Sequence, residues 1–367
     1  MKAGTVRRRP GRHTAIDLFS GCGGMSLGLK QAGFDVLAAV DIDPLAVETY
    51  QANHAGVHVW QTDIRTLDAQ QMMADLGLRV GELDLLAGCP PCQGFSSIRT
   101  RNRSSVADDR NDLIFDFLRF VEAFRPRAAM LENVPGLAAD RRMASVVSTL
   151  ESFSYTVSAA VLDAANYGVP QRRRRLILLA GLHGKIPFGR RSRQHRCVLD
   201  AIGHLPAPAR SRDPLHGIPE RRSAAVVALI ERIPPDGGSR TDVGLAFQLK
   251  CHQRIEGFYD VYGRMAWQDV APTITGGCVN PSKGRFLHPE QHRSITPREA
   301  ALLQSFPPRY TFTMSQGKYR VAELIGNALP PEFIRRHAAS IIRYLSRCGC
   351  DLSSPARTAM AGTPDDD

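Results

Sequence analysis

The sequence predicts an α/β fold built on a mostly parallel, doubly wound sheet, together with a smaller, irregular second domain. Short apolar runs alternate with helical patterns from Ala15 to about Leu182, as expected for strands joined by helices. After about Gly184 the sequence no longer shows this alternation, and prolines, arginines and short irregular segments dominate. A chain of 367 residues with 43% hydrophobic residues is long enough for two domains and a sizeable core.

Apolar runs of strand length mark the sheet. Each run is bounded by turn-forming or polar residues, and the predicted strands cover 15–19, 36–41, 57–61, 83–87, 128–132, 155–162 and 176–182. Helical periodicity covers 112–124, and a weaker helical pattern covers 143–150. Strands and helices in this alternation predict a sheet that is covered by helices on both faces.

Turn signals replace this periodicity in the middle of the chain. They lie at 206–208, 234–238 and 276–277, and a helix is expected over 223–232. Aromatic residues such as Tyr262 and Trp267 favour a folded domain over disorder, because they supply bulk for a core.

Helical regularity returns near the C-terminus. Thr296, Pro297 and Glu299 have the spacing of a capping box, and Pro331 opens a final amphipathic helix. We therefore expect a large domain over 13–184, a second domain over 185–293, a return to the large domain over 294–347, and flexible tails at 1–12 and 348–367.

The charge balance indicates a polyanionic partner. Lysine and arginine exceed aspartate and glutamate by 11, and the sequence pI is about 9.5. Residues 171–199 include no acidic residue but hold the basic residues Arg172, Arg173, Arg174, Arg175, Lys185, Arg190, Arg191, Arg193 and Arg196. Contact with phosphate groups is the favoured interpretation, and a solvated basic face is the alternative.

The cysteine pattern and the apolar runs argue against a secreted or membrane protein. The eight cysteines have no framework spacing, no apolar run approaches membrane-spanning length, and the N-terminus lacks the apolar region of a signal peptide. We therefore expect free thiols and a cytoplasmic protein.

The segment GCPPCQGFSS presents Cys92 just after a predicted buried strand and before a polar, arginine-rich loop. A glycine and two prolines end the strand, so Cys92 is expected at the edge of the sheet, where open α/β sheets bind ligands. A positive setting there favours the reactive thiolate.

Three other interpretations of Cys89 and Cys92 remain open. The two residues could form a redox pair, contribute half of a zinc site, or pack as small buried side chains. The nearest comparable pair, Cys348 and Cys350, has the wrong spacing for a zinc site, so we expect no metal. The prolines disfavour the helix that a thioredoxin-like pair opens.

A glycine-rich turn over 17–24 follows the first predicted strand and runs into a helix. Gly21 and Gly23 fit the first two positions of the dinucleotide fingerprint, but the third falls on Ser26. Asp41 and Asp63 lie at the ends of the next two strands, so carboxylates surround the turn. The pattern predicts a nucleoside site, with a tight turn and helix-capping aspartates as the alternative.

Eight segments, taken in order, resemble the ordered motifs of the DNA (cytosine-5) methyltransferases of bacterial type. They are DLFSGCGGMSLGL, DIDPLA, TDI, GCPPCQGFSS, LENV, YGVPQRRRRLIL, TPREAALLQSFP and LIGNALPP, and they cover about residues 14 to 345 except much of the middle. The resemblance implies a class I S-adenosylmethionine-dependent methyltransferase fold, completed by the last helix, and a target-recognition domain across a DNA cleft. It also implies methyl transfer from S-adenosyl-L-methionine to carbon 5 of a cytosine flipped out of double-stranded DNA.

The resemblance assigns catalytic roles. Cys92 becomes the nucleophile, and Glu132 holds the exocyclic amine and ring nitrogen 3 of cytosine. Arg175 is expected at the cytosine carbonyl and Arg173 near the reacting ring. Strand alternation sends these two arginines to one face, and Arg172 and Arg174 to the other.

The resemblance likewise assigns the cofactor site. Phe19 is expected to stack on adenine, Asp41 to bind the ribose hydroxyls and Asp63 to bind the adenine amine. The remaining residues expected at the cofactor are Gly21, Gly23, Ile42, Ile64, Pro91, Leu113 and Asn327.

DNA contacts are expected from two strips. One is the polar loop after Cys92, with Gln93, Ser96, Arg99 and Arg101. The other is 273–285, with Lys283 and Arg285, and Gln171 is expected at the DNA as well.

Three rivals differ from this prediction. The tRNA cytosine-methylating branch shares the motif set, and the size and arginine content of the middle region disfavour it. A non-catalytic DNA-binding scaffold is disfavoured by the intact catalytic motifs, and a nicotinamide enzyme by Ser26 in the fingerprint.

We expect a monomer associated with the nucleoid of a bacterium, and functional pairing with a restriction endonuclease fits an enzyme of this size. The target sequence cannot be decoded from the middle region.

Overall fold

A mixed sheet of seven strands organises the computed structural model, which describes residues 11–91, 112–249 and 259–352. The strand order is β3-β2-β1-β4-β5-β7-β6. The strands are β1 (Thr14–Leu18), β2 (Asp35–Asp41), β3 (His58–Gln61), β4 (Leu85–Gly88), β5 (Ala128–Asn133), β6 (Thr156–Asp163) and β7 (Arg174–Gly181). The first five strands pair in parallel, whereas β7 runs antiparallel to β5 and β6. The prediction of a mostly parallel α/β sheet is confirmed.

Helices connect the strands and extend into the C-terminal half. They are α1 (Gly24–Ala32), α2 (Pro44–Asn53), α3 (Ala69–Asp75), α4 (Leu113–Phe124), α5 (Arg141–Ser152), α6 (Val198–Ile202), α7 (Ala224–Arg232), α8 (Pro297–Leu303), α9 (Gly317–Asn327) and α10 (Pro331–Leu352). Short 3₁₀ turns lie between several of them, for example Pro135–Ala139 after β5.

Both faces of the sheet are buried, because successive strand residues alternate between two apolar clusters. Leu18 and Leu86 pack in one cluster, with α4 and α5. Ala15 and Leu85 pack in the other, which also receives side chains of α1 and α10. This two-sided burial explains why the central strands read as continuous apolar runs rather than as alternating patterns.

The last helix returns to complete the large α/β unit, as the family resemblance implied. A Cβ atom on Gly28 of α1 would lie 2.6 Å from Cβ of Ile334 in α10, so only glycine allows the two helices to approach this closely. The helix continues to Leu352, past residue 347, where the sequence led us to expect its end.

The predicted helix starts agree with the caps of the structure. The Thr296 hydroxyl accepts a hydrogen bond from the Glu299 amide, and the Glu299 carboxylate accepts one from the Thr296 amide. α2 and α3 were not marked by periodicity. Their N-caps are Asp43 and Asp68, whose carboxylates accept hydrogen bonds from Leu45 and Gln70 respectively.

The middle of the chain is held by two apolar clusters and by one buried arginine. The smaller cluster includes Leu229, Ile233, Tyr262 and Leu287. The larger one includes Val198, Met265 and Phe286 together with Leu45 of α2. Arg264 is fully buried, and its guanidinium donates to the carbonyl oxygens of residues 230, 233, 288 and 291. The carbonyl groups of an irregular backbone are not paired in a sheet, so the several N–H groups of Arg264 supply their hydrogen bonds instead.

Among the described helices, none combines the length and the apolarity that crossing a membrane requires.

Candidate active site

The carboxyl ends of the central parallel strands meet at one edge of the sheet. Leu18 of β1 is in register with Val40 of β2 on one side and with Gly88 of β4 on the other. Gly88 in turn aligns with Leu131 of β5. The described residues at the ends of these strands are therefore neighbours in space, and the predicted site residues Phe19, Asp41 and Glu132 are among them.

The glycine-rich turn is tied to the end of β2 by Asp41. One carboxylate oxygen of Asp41 accepts from the Gly21 amide at 2.7 Å, and the other accepts from the Asp43 amide at 2.9 Å. Phe19 and Gly21 both have positive φ, at 60° and 53°. The end of β2 is therefore hydrogen-bonded to the turn that follows Phe19.

Gly23 lies against the interior rather than towards the open edge of the turn. Its φ is 94°, and a Cβ atom there would lie 2.4 Å from Nε2 of His54. The need for glycine at this position comes from packing against α2, whereas the sequence motif suggested contact with a ligand.

The buried carboxylate of Asp17 is hydrogen-bonded to the first turn of α1. Its Oδ2 accepts from the amide and the hydroxyl of Ser26 at 3.0 and 2.6 Å, and the Ser26 hydroxyl also bonds to Tyr50. The other oxygen of Asp17 has no hydrogen-bond partner in the described part of the chain. Burial raises the pKa of Asp17 to about 7, against the opposing hydrogen bonds of Ser26.

The other predicted cofactor residues differ in how open they are. Ile42 is 62% exposed, and Asn327 is exposed at the end of α9. Leu113 opens α4 and is half-buried, as is Pro91 beyond β4, whereas Ile64 is buried. An ion pair between Arg320 of α9 and Asp43 at 2.9 Å ties the helix that carries Asn327 to the end of β2.

Asp63 is engaged by a neighbouring residue. Its two oxygens each accept from Nε of Arg65 at 3.0 Å, and these hydrogen bonds lower the pKa of Asp63. An exposed pair of this kind contributes little stability and is easily opened. The Asp63 carboxylate lies at the predicted strand end, but a ligand that used it would share it with Arg65.

Glu132 is the central buried acid of the site. It lies at the end of β5 and is 2% exposed. Nε of Arg175 lies 2.9 Å from its Oε1 as an ion pair, without the angle of a hydrogen bond, and Oε1 has no hydrogen-bond partner among the described residues. The sulfur of Cys89 donates to Oε2 at 2.6 Å.

A small packing residue was one interpretation of Cys89 from sequence, and Cys89 does pack against the apolar cluster that includes Ala15 and Leu85. Its thiol also contacts the Glu132 carboxylate, which the sequence did not indicate. Burial, followed by the negative charge of Glu132, raises the pKa of Cys89 well above its usual value. The sulfur therefore keeps its proton and acts as a donor. The side-chain amide of Asn133 adds a second link, because it donates to the Pro90 carbonyl at 3.1 Å.

Cys92 and the polar residues after it lie outside the described residues. These are the predicted nucleophile Cys92 and the predicted DNA contacts Gln93, Ser96, Arg99 and Arg101. The described chain reaches the edge of the sheet at Pro91, one residue before Cys92 and next to the end of β5.

The arginines before and at the start of β7 alternate as predicted. Arg172 and Arg174 are exposed, Arg173 is 2% exposed and Arg175 is half-buried. Arg173 was expected near a reacting ring, but its guanidinium donates to the carbonyl oxygens of Ile274 at 2.8 Å and Gly326 at 2.9 Å. Burial lowers the pKa of Arg173 to about 9.

Gln171 was expected at the DNA, and this prediction is wrong because the side chain is fully buried. Its amide nitrogen donates to the Gln304 side chain at 2.8 Å, and its oxygen accepts from the Ile274 amide at 2.8 Å. Gln304 in turn donates to the Ile325 carbonyl. We name Gln171, Arg173 and Gln304 the polar clamp, because they join the segment before β7, α8, the end of α9 and the strip at 273–285.

The predicted contact strip at 273–285 is only partly available to a ligand. Lys283 is exposed, in agreement with a surface role. Arg285 donates from one nitrogen to the carbonyls of Gly237 at 2.8 Å and Arg264 at 2.9 Å. Its guanidinium therefore binds the backbone of the middle region, and we replace its predicted phosphate contact with this structural role.

Sequence reasoning missed Cys89, Asn133 and Gln304 as site or clamp residues. A weak signal existed for two of them. Cys89 stands three residues before Cys92, and Asn133 follows Glu132 directly, so each belongs to a segment already singled out. Gln304 carried no signal, because its partners, the Gln171 side chain and the Ile325 carbonyl, lie more than twenty residues away along the chain.

Comparisons with known proteins give one consistent result. The family model described as C-5 cytosine-specific DNA methylase matches residues 13–343. The chain is 35% identical over 344 residues to the type II methylase M.HgiDII of Herpetosiphon aurantiacus, covering 90% of this chain and 95% of that protein. It is 33% identical over 337 residues to the type II methyltransferase M1.HphI of Haemophilus parahaemolyticus, covering 90% and 87% of the two chains.

Solved structures have the same fold. A prophage-encoded DNA modification methyltransferase from E. coli matches with a TM-score of 0.67 and 26% identity, covering 91% of this chain and 99% of that chain. The Dnmt2 methyltransferase of S. pombe matches with a TM-score of 0.59 and 20% identity, covering 91% and 99%. This second likeness concerns the fold alone. The chain belongs to the family of C-5 cytosine-specific DNA methyltransferases.

Proposed function

We propose that this enzyme transfers a methyl group from S-adenosyl-L-methionine to carbon 5 of a flipped-out cytosine in a specific double-stranded DNA sequence, through a covalent adduct with Cys92. The single observation that carries the proposal is the buried Glu132, with a carboxylate oxygen beside Arg175 that accepts no hydrogen bond from the described residues, next to the strand end that leads into Cys92. Such an oxygen supports a functional role, because buried polar atoms are ordinarily hydrogen-bonded.

The role of Cys92 follows from the electronics of cytosine. Carbon 5 is too poor in electrons to accept a methyl group directly. When the Cys92 thiolate adds to carbon 6, a carbon–sulfur bond forms, and the electrons of the 5,6 double bond move towards carbon 5 and nitrogen 3. After carbon 5 is methylated, it loses its proton to solvent, the 5,6 double bond reforms, and the thiolate leaves.

Glu132 and Arg175 stabilise the charge that appears on the ring. Oε1 of Glu132 accepts no hydrogen bond from the described residues, so it can bind the exocyclic amine and nitrogen 3. Arg175 lies within ion-pair distance of that oxygen, where its guanidinium can also reach the cytosine carbonyl. Arg173 is assigned a positioning role, because its donors are bound to the Ile274 and Gly326 carbonyls.

The residues at the ends of β1, β2 and β3 fit S-adenosyl-L-methionine. The turn at Phe19 and Gly21 is backed by Asp41, and exposed Ile42 and Asn327 offer an apolar and a polar surface. Acids and small residues suit this group, because it carries a ribose and an amine but no phosphate. When bound, it supplies an electrophilic methyl group.

DNA binding is assigned to the exposed cations between Arg172 and Arg196. They share exposure to solvent and are Arg172, Arg174, Arg190, Arg191, Arg193 and Arg196. Lys185 is left out, because it follows the end of β7 at the edge of the sheet opposite to the site. Lys283 and the loop residues Gln93, Ser96, Arg99 and Arg101 are proposed to contact the DNA nearer the flipped base. We retain 185–293 as the target-recognition domain, with DNA between it and the large domain.

The type II names of the relatives support a role in restriction and modification, and we propose that this chain is either the partner of a restriction endonuclease or an orphan methylase. We also propose that it acts as a monomer on the DNA of a bacterial nucleoid.

The test is sequencing at single-base resolution after unmethylated DNA is incubated with the protein and the methyl donor. We expect 5-methylcytosine at one position of one recurring sequence. A parallel incubation with tRNA should leave that RNA unmodified. Methylation of tRNA but not of DNA would move the chain to the tRNA-methylating branch, and modification of neither would contradict the proposal.

A further inference from the structure

Cys89 occupies an unusual position for a cysteine in a catalytic segment. It follows β4 directly, and its amide donates to the Leu18 carbonyl at 3.2 Å, so the backbone at this residue is held by the sheet. Its side chain points across to β5 and reaches Oε2 of Glu132 at 2.6 Å. The thiol and the carboxylate thus link the two strand ends that flank the entry to Cys92.

The two oxygens of the Glu132 carboxylate have different surroundings. Oε2 accepts the Cys89 proton, whereas Oε1 lies beside Arg175 and has no hydrogen-bond partner among the described residues. A carboxylate can rotate about its last bond with little resistance, because that torsion is broad. The donor on Oε2 restrains this rotation and leaves Oε1, which is buried beside Arg175, as the oxygen that accepts no hydrogen bond from the described residues.

We propose that Cys89 is a positioning residue for the methyl-transfer reaction, whose S–H group orients Glu132 so that Oε1 is available to the cytosine ring. The inference rests on the proposed role of Glu132. It differs from a packing role, because what matters is the donated proton and not the volume of the sulfur atom.

Two substitutions separate these possibilities. Cys89→Ser keeps a donor but reduces the side-chain volume, whereas Cys89→Val keeps the volume but removes the donor. If the proton positions Glu132, the valine variant should lose about ten-fold in kcat, as expected for a hydrogen bond to a charged group, while KM for DNA and for the methyl donor changes little. The serine variant should retain most of kcat.

A matched control is available in another part of the fold. Cys348 is also half-buried, in α10, and packs against the apolar cluster that includes Ala15 and Leu85. Cys348→Val should therefore leave kcat unchanged. Thermal unfolding of all variants reports whether a loss of kcat reflects a loss of folded protein.

The experiment is steady-state methylation of DNA by the full chain and by these variants, with Glu132→Gln and the wild type beside them. A valine variant more active than the serine variant, or both variants equal to the wild type, would overturn the role of Cys89 while leaving Glu132 in place. An inactive wild type, or a fully active Glu132→Gln variant, would instead overturn the proposed function.

Discussion

The guanidinium of Arg173 donates to the carbonyl oxygen of Gly326 at 2.9 Å. One hydrogen bond thus joins the segment that leads into Arg175 to the end of the helix that carries Asn327. The second donation, to Ile274, brings in the strip at 273–285. The proposed base-binding and cofactor-binding elements and part of the proposed DNA surface are therefore held together by a single buried side chain.

The first prediction concerns this arginine and its neighbour. Arg173→Ala should lower the free energy of unfolding by about 3 kcal/mol, because two buried carbonyls lose their donor. Arg172→Ala should change it by less than about 0.5 kcal/mol, because that side chain is 66% exposed. Unfolding in urea measures both. If the two substitutions changed the free energy of unfolding equally, Arg173 would not have the stabilising role assigned to it in the polar clamp.

The second prediction concerns the close approach at Gly326. A Cβ atom there would lie 2.1 Å from the carbonyl carbon of Thr275, so Gly326→Ala must displace backbone at the end of α9. We expect a loss of about 1–3 kcal/mol of stability and weaker binding of the methyl donor, as measured by calorimetry.

Gly244→Ala is the matched control for this change, because its Cβ would meet only Phe247 at 3.9 Å. It should bind the donor as the wild type does. Donor affinity that is unchanged in Gly326→Ala would separate the end of α9 from the cofactor site.

The third prediction is a pH dependence that comes from Asp17. Burial raises its pKa from 3.8 to about 7, so folding favours the protonated carboxyl group. The stability from this group is complete below about pH 4, and it is lost as the pH rises towards 7.

Asp17→Asn cannot titrate, so the stability of the variant relative to the wild type should increase by a few kcal/mol between about pH 4 and pH 7. Urea unfolding of both proteins at several pH values gives this difference directly. A difference that stays constant across the range would mean that Asp17 does not carry this titration.

The fourth prediction concerns the exposed basic residues. Replacing Arg190, Arg191 and Arg193 by alanine should reduce the slope of log affinity against log salt by up to about three, if each binds one phosphate group. Arg79→Ala is the control. Arg79 is exposed, but it precedes β4, and the site lies at the opposite, carboxyl end of that strand. A slope that does not change in the triple variant would place the DNA elsewhere.

Much of the fold could be predicted from the sequence because its signals are local. The central strands of the sheet are apolar runs buried on both faces, and the start of α8 is a capping box within four residues. The helices α2 and α3 lacked periodicity and were not predicted, although each begins at an aspartate N-cap, Asp43 and Asp68. Strand β7 begins earlier than predicted, at Arg174, because its pairing with β6 extends beyond the apolar core.

The site was less predictable, because its contacts depend on tertiary placement. Gln171 and Arg173 belong to a basic, polar segment that reads as a DNA surface, yet both side chains are buried against backbone carbonyls and amides from distant segments. The contact of Cys89 with Glu132 spans 43 positions in the chain and follows from the pairing of β4 with β5. A sequence pattern can single out such residues, but the groups that they contact are determined by the packing of the folded chain.

The central claim, that Cys92 adds to carbon 6 of cytosine, can be tested by trapping the adduct. In DNA whose target cytosines carry fluorine at carbon 5, the last step cannot occur, because no proton can leave carbon 5 to release the thiolate. After incubation with the methyl donor and digestion, mass spectrometry of the peptides should find the nucleotide on Cys92. An enzyme that methylates ordinary DNA but forms no adduct with the fluorinated DNA, or forms one at Cys89, would contradict the account.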